Sequence, residues 1–278
     1  MSDLKEIKFF ILDMDGTIYL EKDILEGSLD FLAKLEATNR NYIFLTNNSS
    51  KNRSDYQQKL AQMQIKVAPE KIINSGEITA SYLAEQGNKK GKRIYLLGTE
   101  SLKEEMERFG HIVVNQEENI REKAESVDYV VLGFDKTINY KKLWDAHQLI
   151  LSGVNYVATH PDLVCPLSGG KTQPDTGAMI ELLAASTGKR PLIIGKPSKL
   201  TVDYILKRFN LKKSELAVVG DRLYTDLKMA HTAGITGILV LSGETKKEDI
   251  AALKQVNDSK LEYFDYVFES VAELKNEL

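Results

Sequence analysis

Four short polar segments carry most of the reactive side chains of this sequence, and each directly follows an apolar run. They are Asp13-Met14-Asp15-Gly16-Thr17, Thr46-Asn47-Asn48-Ser49-Ser50, Gly195-Lys196-Pro197-Ser198 and Gly220-Asp221-Arg222-Leu223-Tyr224-Thr225-Asp226. Brought together, they supply acids, a hydroxyl and a lysine at one place. Two unit negative charges about 4 Å apart repel by about 4 kcal/mol at an effective dielectric of 20, so the acids imply a cation among them. Carboxylates, a backbone carbonyl and water are hard oxygen donors that suit Mg²⁺, which also takes phosphate oxygens as ligands. The lysine, the hydroxyl and the backbone amides of the Thr46-Asn47 turn are donors for non-bridging phosphoryl oxygens, which leaves one carboxylate free to attack. The chemistry indicated is phosphoryl transfer.

Taken singly, each segment has a plainer reading. An isolated Asp-x-Asp is usually a solvated turn, Thr46 could be a strand-end cap, and Lys196 could be a surface lysine. Asp226, just before Leu227-Lys228-Met229-Ala230, could serve only to stabilise the first turn of a helix. Their order and shared strand-end position favour one site. Asp13 and Asp15, two residues apart, would leave an extended strand on the same side. Gly170-Lys171-Thr172 suggests a nucleotide loop, but the pattern needs glycine five residues before Gly170, where Cys165 stands. It is read as a loop. The four histidines are dispersed without metal-binding spacing.

The elements that must position these residues alternate as short apolar runs and amphipathic segments, which predicts an α/β chain with a parallel sheet. Expected outer strands are Lys8 to Leu12, Tyr42 to Leu45, Leu192 to Ile194, Leu216 to Val219 and Ile238 to Leu241. Expected helices are Ser28 to Leu35, Ser54 to Gln64, Leu200 to Phe209 and Thr225 to Ala233, the last ended by Gly234. A second set lies between them. Its expected strands are Arg93 to Leu97, Ile112 to Val114, Tyr129 to Leu132 and Tyr156 to Ala158, and its helices lie near Glu100 to Phe109, Tyr140 to Leu151 and Thr176 to Thr187. Linker compositions at 87–93 and 188–191 mark the breaks. The expectation is an inserted domain over 82–188 within a core made of 1–81 and 189–278.

Composition excludes several classes. A chain of 278 residues with 37 Lys plus Arg against 40 Asp plus Glu has a formal charge of -3, so it offers no broad basic field for nucleic acid or an anionic membrane. One cysteine excludes an internal disulfide framework and fits a reducing compartment. The start MSDLKEIKFFILDMDGT lacks a basic segment followed by a long apolar run, and no stretch approaches about 20 apolar residues. The expectation is a cytoplasmic protein, in which the glycosylation-like Asn48-Ser49-Ser50 and Asn52-Arg53-Ser54 stay unmodified.

Asp13-Met14-Asp15-Gly16-Thr17 resembles the first motif of the haloacid dehalogenase superfamily of phosphotransferases. Thr46, Lys196 and the Gly220-Asp221 to Asp226 segment fall in its second, third and fourth motif positions, in order. The Thr-Asn-Asn-Ser turn, the Gly-Lys-Pro-Ser turn and the large insertion resemble the NagD-like p-nitrophenyl phosphatase branch over essentially the whole chain. The resemblance implies a Rossmann-like core with an inserted α/β cap domain and hydrolysis of small-metabolite phosphate monoesters through an aspartyl-phosphate. It implies Asp13 as nucleophile and metal ligand, and Asp15 as acid and base with its main-chain carbonyl on Mg²⁺. Thr46 and the Asn47 amide would hold phosphoryl oxygens, Lys196 would neutralise nucleophile and phosphoryl group, and Asp221 would be the third metal ligand. Arg222 to Thr225 would lie beside the phosphate, with Asp226 a supporting acceptor behind the metal. Caps of this branch also pair across dimers, which implies a homodimer through the cap. Two residues depart from the branch: His160 stands where Asn or Asp is common, and Cys165 stands where pyridoxal phosphate phosphatases carry a cap histidine.

A phosphotransferase or mutase of the same superfamily uses the same residues and differs only in the acceptor. A phospho-accepting receiver domain shares the Asp, Thr and Lys inventory, but it is only about 120 residues long and has no insertion. Halide displacement has no need for Asp15 and the metal-binding acids, and the intact motif set argues against a binding protein without activity.

Overall fold

The computed structural model describes residues 4–87 and 91–278, so residues 88–90 of the expected linker at 87–93 lie outside the described residues. Two units emerge. The first comprises residues up to Thr46, Tyr56–Ile73 and Lys196–Leu278, and the second comprises Asn47–Asp55 and Asn74–Gly195.

In the first unit, Phe9–Leu12 and Leu216–Gly220 are buried at every position, as strands covered on both faces must be. They lie in a six-stranded sheet ordered Tyr266–Phe268, Thr236–Val240, Leu216–Gly220, Phe9–Leu12, Asn41–Thr46 and Ile72–Asn74. Phe9–Leu12 is parallel to both neighbours, with Leu12 opposite Phe44 on one side and Val219 on the other. Phe10, Phe31, Leu35, Phe44 and Val219 belong to one buried cluster that includes helix Ser28–Ala37. A smaller cluster joins Leu223, Leu227, Leu239 and Ile250.

The second unit has its own sheet, ordered Leu192–Ile193, Asn155–Ala158, Tyr129–Leu132, Arg93–Leu97 and Ile112–Val113, all parallel. Tyr95, Leu132, Leu149 and Leu183 centre one cluster, while Leu96, Leu102, Met106 and Val131 centre another.

Three expectations change. Leu192–Ile193 joins the second sheet rather than the first, with Leu192 opposite Val157 and Ile193 opposite Ala158; a two-residue apolar run carries no mark of which sheet it will join. The second unit is larger at both ends than 82–188, because helix Ser75–Glu85 contributes Ala80 and Leu83 to the cluster with Leu96 and Leu102. The segment around Gly170 is a hairpin rather than a loop: Val164–Leu167 pairs antiparallel with Lys171–Pro174, and Cys165 lies opposite Gln173. No helix among the described residues is long and apolar enough to cross a membrane.

Candidate active site

Parallel register carries the chain to the same edge of the first sheet at the end of each strand. The Asp13 N–H still donates to Val219 O at 2.9 Å, so the ladder runs into the first motif residue. Thr46 closes the neighbouring strand on one side. On the other, Asp221 directly follows Gly220, the last residue of its strand. Asp15 lies in a tight turn where the Ile18 N–H donates to Met14 O at 2.9 Å and the Gly16 N–H to Tyr19 O at 2.8 Å. Gly16 has φ +87°, and a Cβ there would fall 2.4 Å from Asp221 Oδ2, so both backbone and packing require glycine.

Lys196 is the centre of the charge arrangement. Its Nζ donates to Asp13 Oδ1, to Asp226 Oδ1 at 2.7 Å and to Leu45 O at 3.4 Å, and its side chain is 5% exposed. Burial works against its charge, but Asp13 and then Asp226 outweigh that and hold the ammonium above its ordinary pKa. Asp226 has its other oxygen on the Thr225 hydroxyl at 3.2 Å. It sits in a π-helical turn, Leu223–Leu227, ahead of helix Lys228–Ala233, where a regular helix from Thr225 was expected. Such turns often occur at functional sites. Besides preceding this helix, Asp226 is ion-paired with Lys196. Gly234 ends the helix at φ +67°, as its position suggested.

Asp13, Asp221 and Asp226 each offer a carboxylate oxygen within 4.8 Å of the others. Burial is the main reason that Asp13 is pushed up to about 6, opposed by Lys196 and reinforced by Asp226. Burial likewise pushes Asp221 up to about 7, reinforced by Asp13 and Asp226. Asp221 Oδ2 accepts the Glu244 N–H at 2.6 Å, whereas its Oδ1 is buried without a hydrogen-bond partner. An orphaned carboxylate oxygen beside a second raised carboxylate fits a hard divalent cation, which would satisfy the one and lower both pKa values. Arg222 lies near the same acids; burial opposes its charge, Asp13 and Asp221 raise its pKa, and its Nε is 3.1 Å from Glu244 Oε2.

Asn47 falls in the second unit. There its Nδ2 donates to both Asp162 oxygens, at 3.3 and 3.2 Å, and its carbonyl accepts from Ser75 Oγ. His160 is fully buried against Thr159 and Asp175. Cys165 is partly buried in the hairpin.

Sequence reasoning missed the loop that holds Asp221. Ser242 Oγ donates to Gly16 O at 2.8 Å, and the Thr245 N–H donates to Asp221 O at 3.2 Å. A Cβ on Gly243 would lie 2.0 Å from Asp221 Oδ2. The signal was present: Ser242-Gly243-Glu244-Thr245 is the polar segment after a fifth apolar run, Ile238 to Leu241.

Comparison with known proteins places the chain in a family. Residues 10–112 match the haloacid dehalogenase-like hydrolase family, and residues 193–274 match a HAD-hydrolase-like family. The acid sugar phosphatase of Staphylococcus aureus is 32% identical over 98% of this chain and 100% of its own length. The 4-nitrophenylphosphatase of Thermotoga maritima, a crystal structure, is 43% identical with a TM-score of 0.88, covering 99% of each chain. The glycerol phosphate phosphatase of Mycobacterium tuberculosis, solved in complex with magnesium, is 27% identical with a TM-score of 0.85, covering 99% of this chain and 78% of that one.

Proposed function

The chain belongs to the haloacid dehalogenase-like hydrolases, in their NagD-like p-nitrophenyl phosphatase branch, and on that premise we propose that it is a Mg²⁺-dependent phosphatase of small-metabolite monoesters such as sugar phosphates. The observation that carries this reading is Lys196 bonded to both Asp13 and Asp226, with the orphaned Asp221 Oδ1 in the same acid cluster. The sugar phosphatase and glycerol phosphate phosphatase among the relatives support the substrate class.

Asp13 attacks phosphorus to form an aspartyl-phosphate, and its ionised form is the one required. Lys196 keeps that carboxylate ionised and offsets charge on the transferred group. Thr46, the Asn47 amide and Arg222 bind non-bridging oxygens. Asp15 gives its proton to the leaving alkoxide and then takes one from the water that hydrolyses the intermediate. Asp13, the Asp15 carbonyl and Asp221 would hold Mg²⁺, which when bound supplies positive charge to the phosphoryl oxygens and relieves repulsion among the acids. Asp226 fixes Lys196, and the 242–245 loop fixes Asp221. By family resemblance the second unit selects the leaving group, and a homodimer through it is part of the same reading.

Steady-state hydrolysis of p-nitrophenyl phosphate and a panel of sugar phosphates, with and without Mg²⁺, tests the proposal. Asp13→Asn is expected to remain folded and to lose turnover to trace level. Wild-type protein inert toward the whole panel, or a variant that retains turnover, overturns it.

A further inference from the structure

His160 is fully buried and takes no part in the chemistry above. All of its partners lie in the second unit, which also contains Asn47–Asp55. Its Nε2 is 3.0 Å from Asp175 Oδ1, and its Nδ1 is 2.8 Å from Thr159 Oγ1. Thr159 Oγ1 is 3.1 Å from Ser49 Oγ, which accepts the Phe134 N–H at 3.0 Å. An ionised carboxylate only accepts, so Nε2 carries the proton and donates to Asp175. Nδ1 is hydrogen-bonded to the Thr159 hydroxyl, which is hydrogen-bonded in turn to the Ser49 hydroxyl. The four side chains Ser49, Thr159, His160 and Asp175 thus form one connected chain of hydrogen bonds that ends on the Asp175 carboxylate, and each bond polarises the next.

The chain of hydrogen bonds is anchored at both ends. Asp175 caps helix Thr176–Thr187, its Oδ1 accepting the Thr176 N–H at 2.6 Å. The Gly177 N–H donates to Asp162 O at 2.8 Å, and a Cβ on Gly177 would fall 2.2 Å from Pro161 O, so the Pro161-Asp162 backbone sits against the first helical turn. From this seat, the Asp162 carboxylate takes both bonds from Asn47 Nδ2, while Thr159 holds Ser49 two residues along.

We propose that His160 is a positioning residue for the Asn47–Ser49 turn, fixing the Thr159–Asp162 segment that grips Asn47 and Ser49, so that the Asn47 backbone amide is held ready for a phosphoryl oxygen. The last step rests on the role of Asn47 proposed above. His160 is thereby part of the phosphate-binding framework without touching phosphate.

Thr159→Val, which removes the hydroxyl at nearly constant shape, and His160→Ala test the proposal. Three quantities are read in the full-length protein: amide hydrogen exchange of Asn47–Ser50, steady-state kinetics with p-nitrophenyl phosphate and Mg²⁺, and competitive inhibition by inorganic phosphate. In both variants exchange is expected to accelerate at Asn47–Ser50 while helix Tyr140–Leu151 stays unchanged. KM and the phosphate inhibition constant should rise together by roughly tenfold, the effect of about 1.4 kcal/mol, with kcat changed much less. Unchanged exchange at the turn, acceleration spread evenly through the unit, or wild-type KM and phosphate inhibition overturns the proposal. If His160→Ala does not fold, Thr159→Val alone decides. A wild-type protein without turnover would sink the phosphatase reading instead, and localised exchange would then still support the positioning of the turn.

Discussion

Burial makes Asp13 and Asp221 reluctant anions, and that reluctance has a measurable consequence. Both folded-state pKa values, about 6 and about 7, lie above the ordinary 3.8. A raised carboxylate pKa means that the fold binds these protons more tightly than the unfolded chain does. The resulting stabilisation is complete below the unfolded pKa and is lost as pH rises through 6 to 7. A bound cation would replace the protons just where they leave. Mg²⁺ is therefore expected to raise the melting temperature little at pH 5 and by several degrees at pH 8. Thermal shift with and without Mg²⁺ across that range checks this, and an equal shift at both ends contradicts it. Lys196→Met removes the cation shared by Asp13 and Asp226 and leaves two buried acids without their partner. It should abolish turnover and cost about 3–5 kcal/mol of stability, as breaking a buried pair does, which chemical denaturation would measure.

At the scale of elements, close packing around Asp221 is as specific as its charge. Gly243→Ala places a methyl 2.0 Å from Asp221 Oδ2, which must then shift, and outer residues that orient metal ligands typically matter by about 10–100-fold in affinity. A Mg²⁺ titration followed by thermal shift should show a loss in that range with the fold retained; unchanged affinity would separate the loop from the site. That loop also marks where the sequence was hard to read. Asp13, Thr46, Lys196 and Asp221 were visible because each ends an apolar run before a polar turn, a pattern set by parallel strands themselves. The Ser242–Thr245 loop follows the same rule but carries no metal-ligand motif of its own. Ile72–Asn74 and Tyr266–Phe268 are three-residue strands too short to stand out, and Leu192–Ile193 looked like a strand without showing its sheet. The π-helical turn at Leu223–Leu227 has no hydrophobic period to reveal it. His160 and Asp175, 15 residues apart in sequence, meet only through the fold.

At the scale of the whole molecule, each of the hydrophobic clusters described above among the described residues lies within one unit. Separate cores predict a calorimetric unfolding enthalpy greater than the van't Hoff value, and equality would indicate a single cooperative unit. Leu149→Ala, within the second unit, should cost about 2–5 kcal/mol and shift only one of two transitions in the calorimetric trace. The near-balanced charge of the chain, -3 overall, conceals a local concentration of acids at one edge of one sheet. Interconnected packing and hydrogen bonds, rather than net charge, place those acids around Lys196.

Attack by Asp13 on phosphorus is the central claim, and rapid quenching of wild-type protein during turnover of a ³²P-labelled sugar phosphate tests it most directly. The account predicts acid-stable, hydroxylamine-labile label on the peptide containing Asp13, and none in Asp13→Asn. Turnover with no protein-bound label under trapping conditions, or label on a different residue, would contradict it.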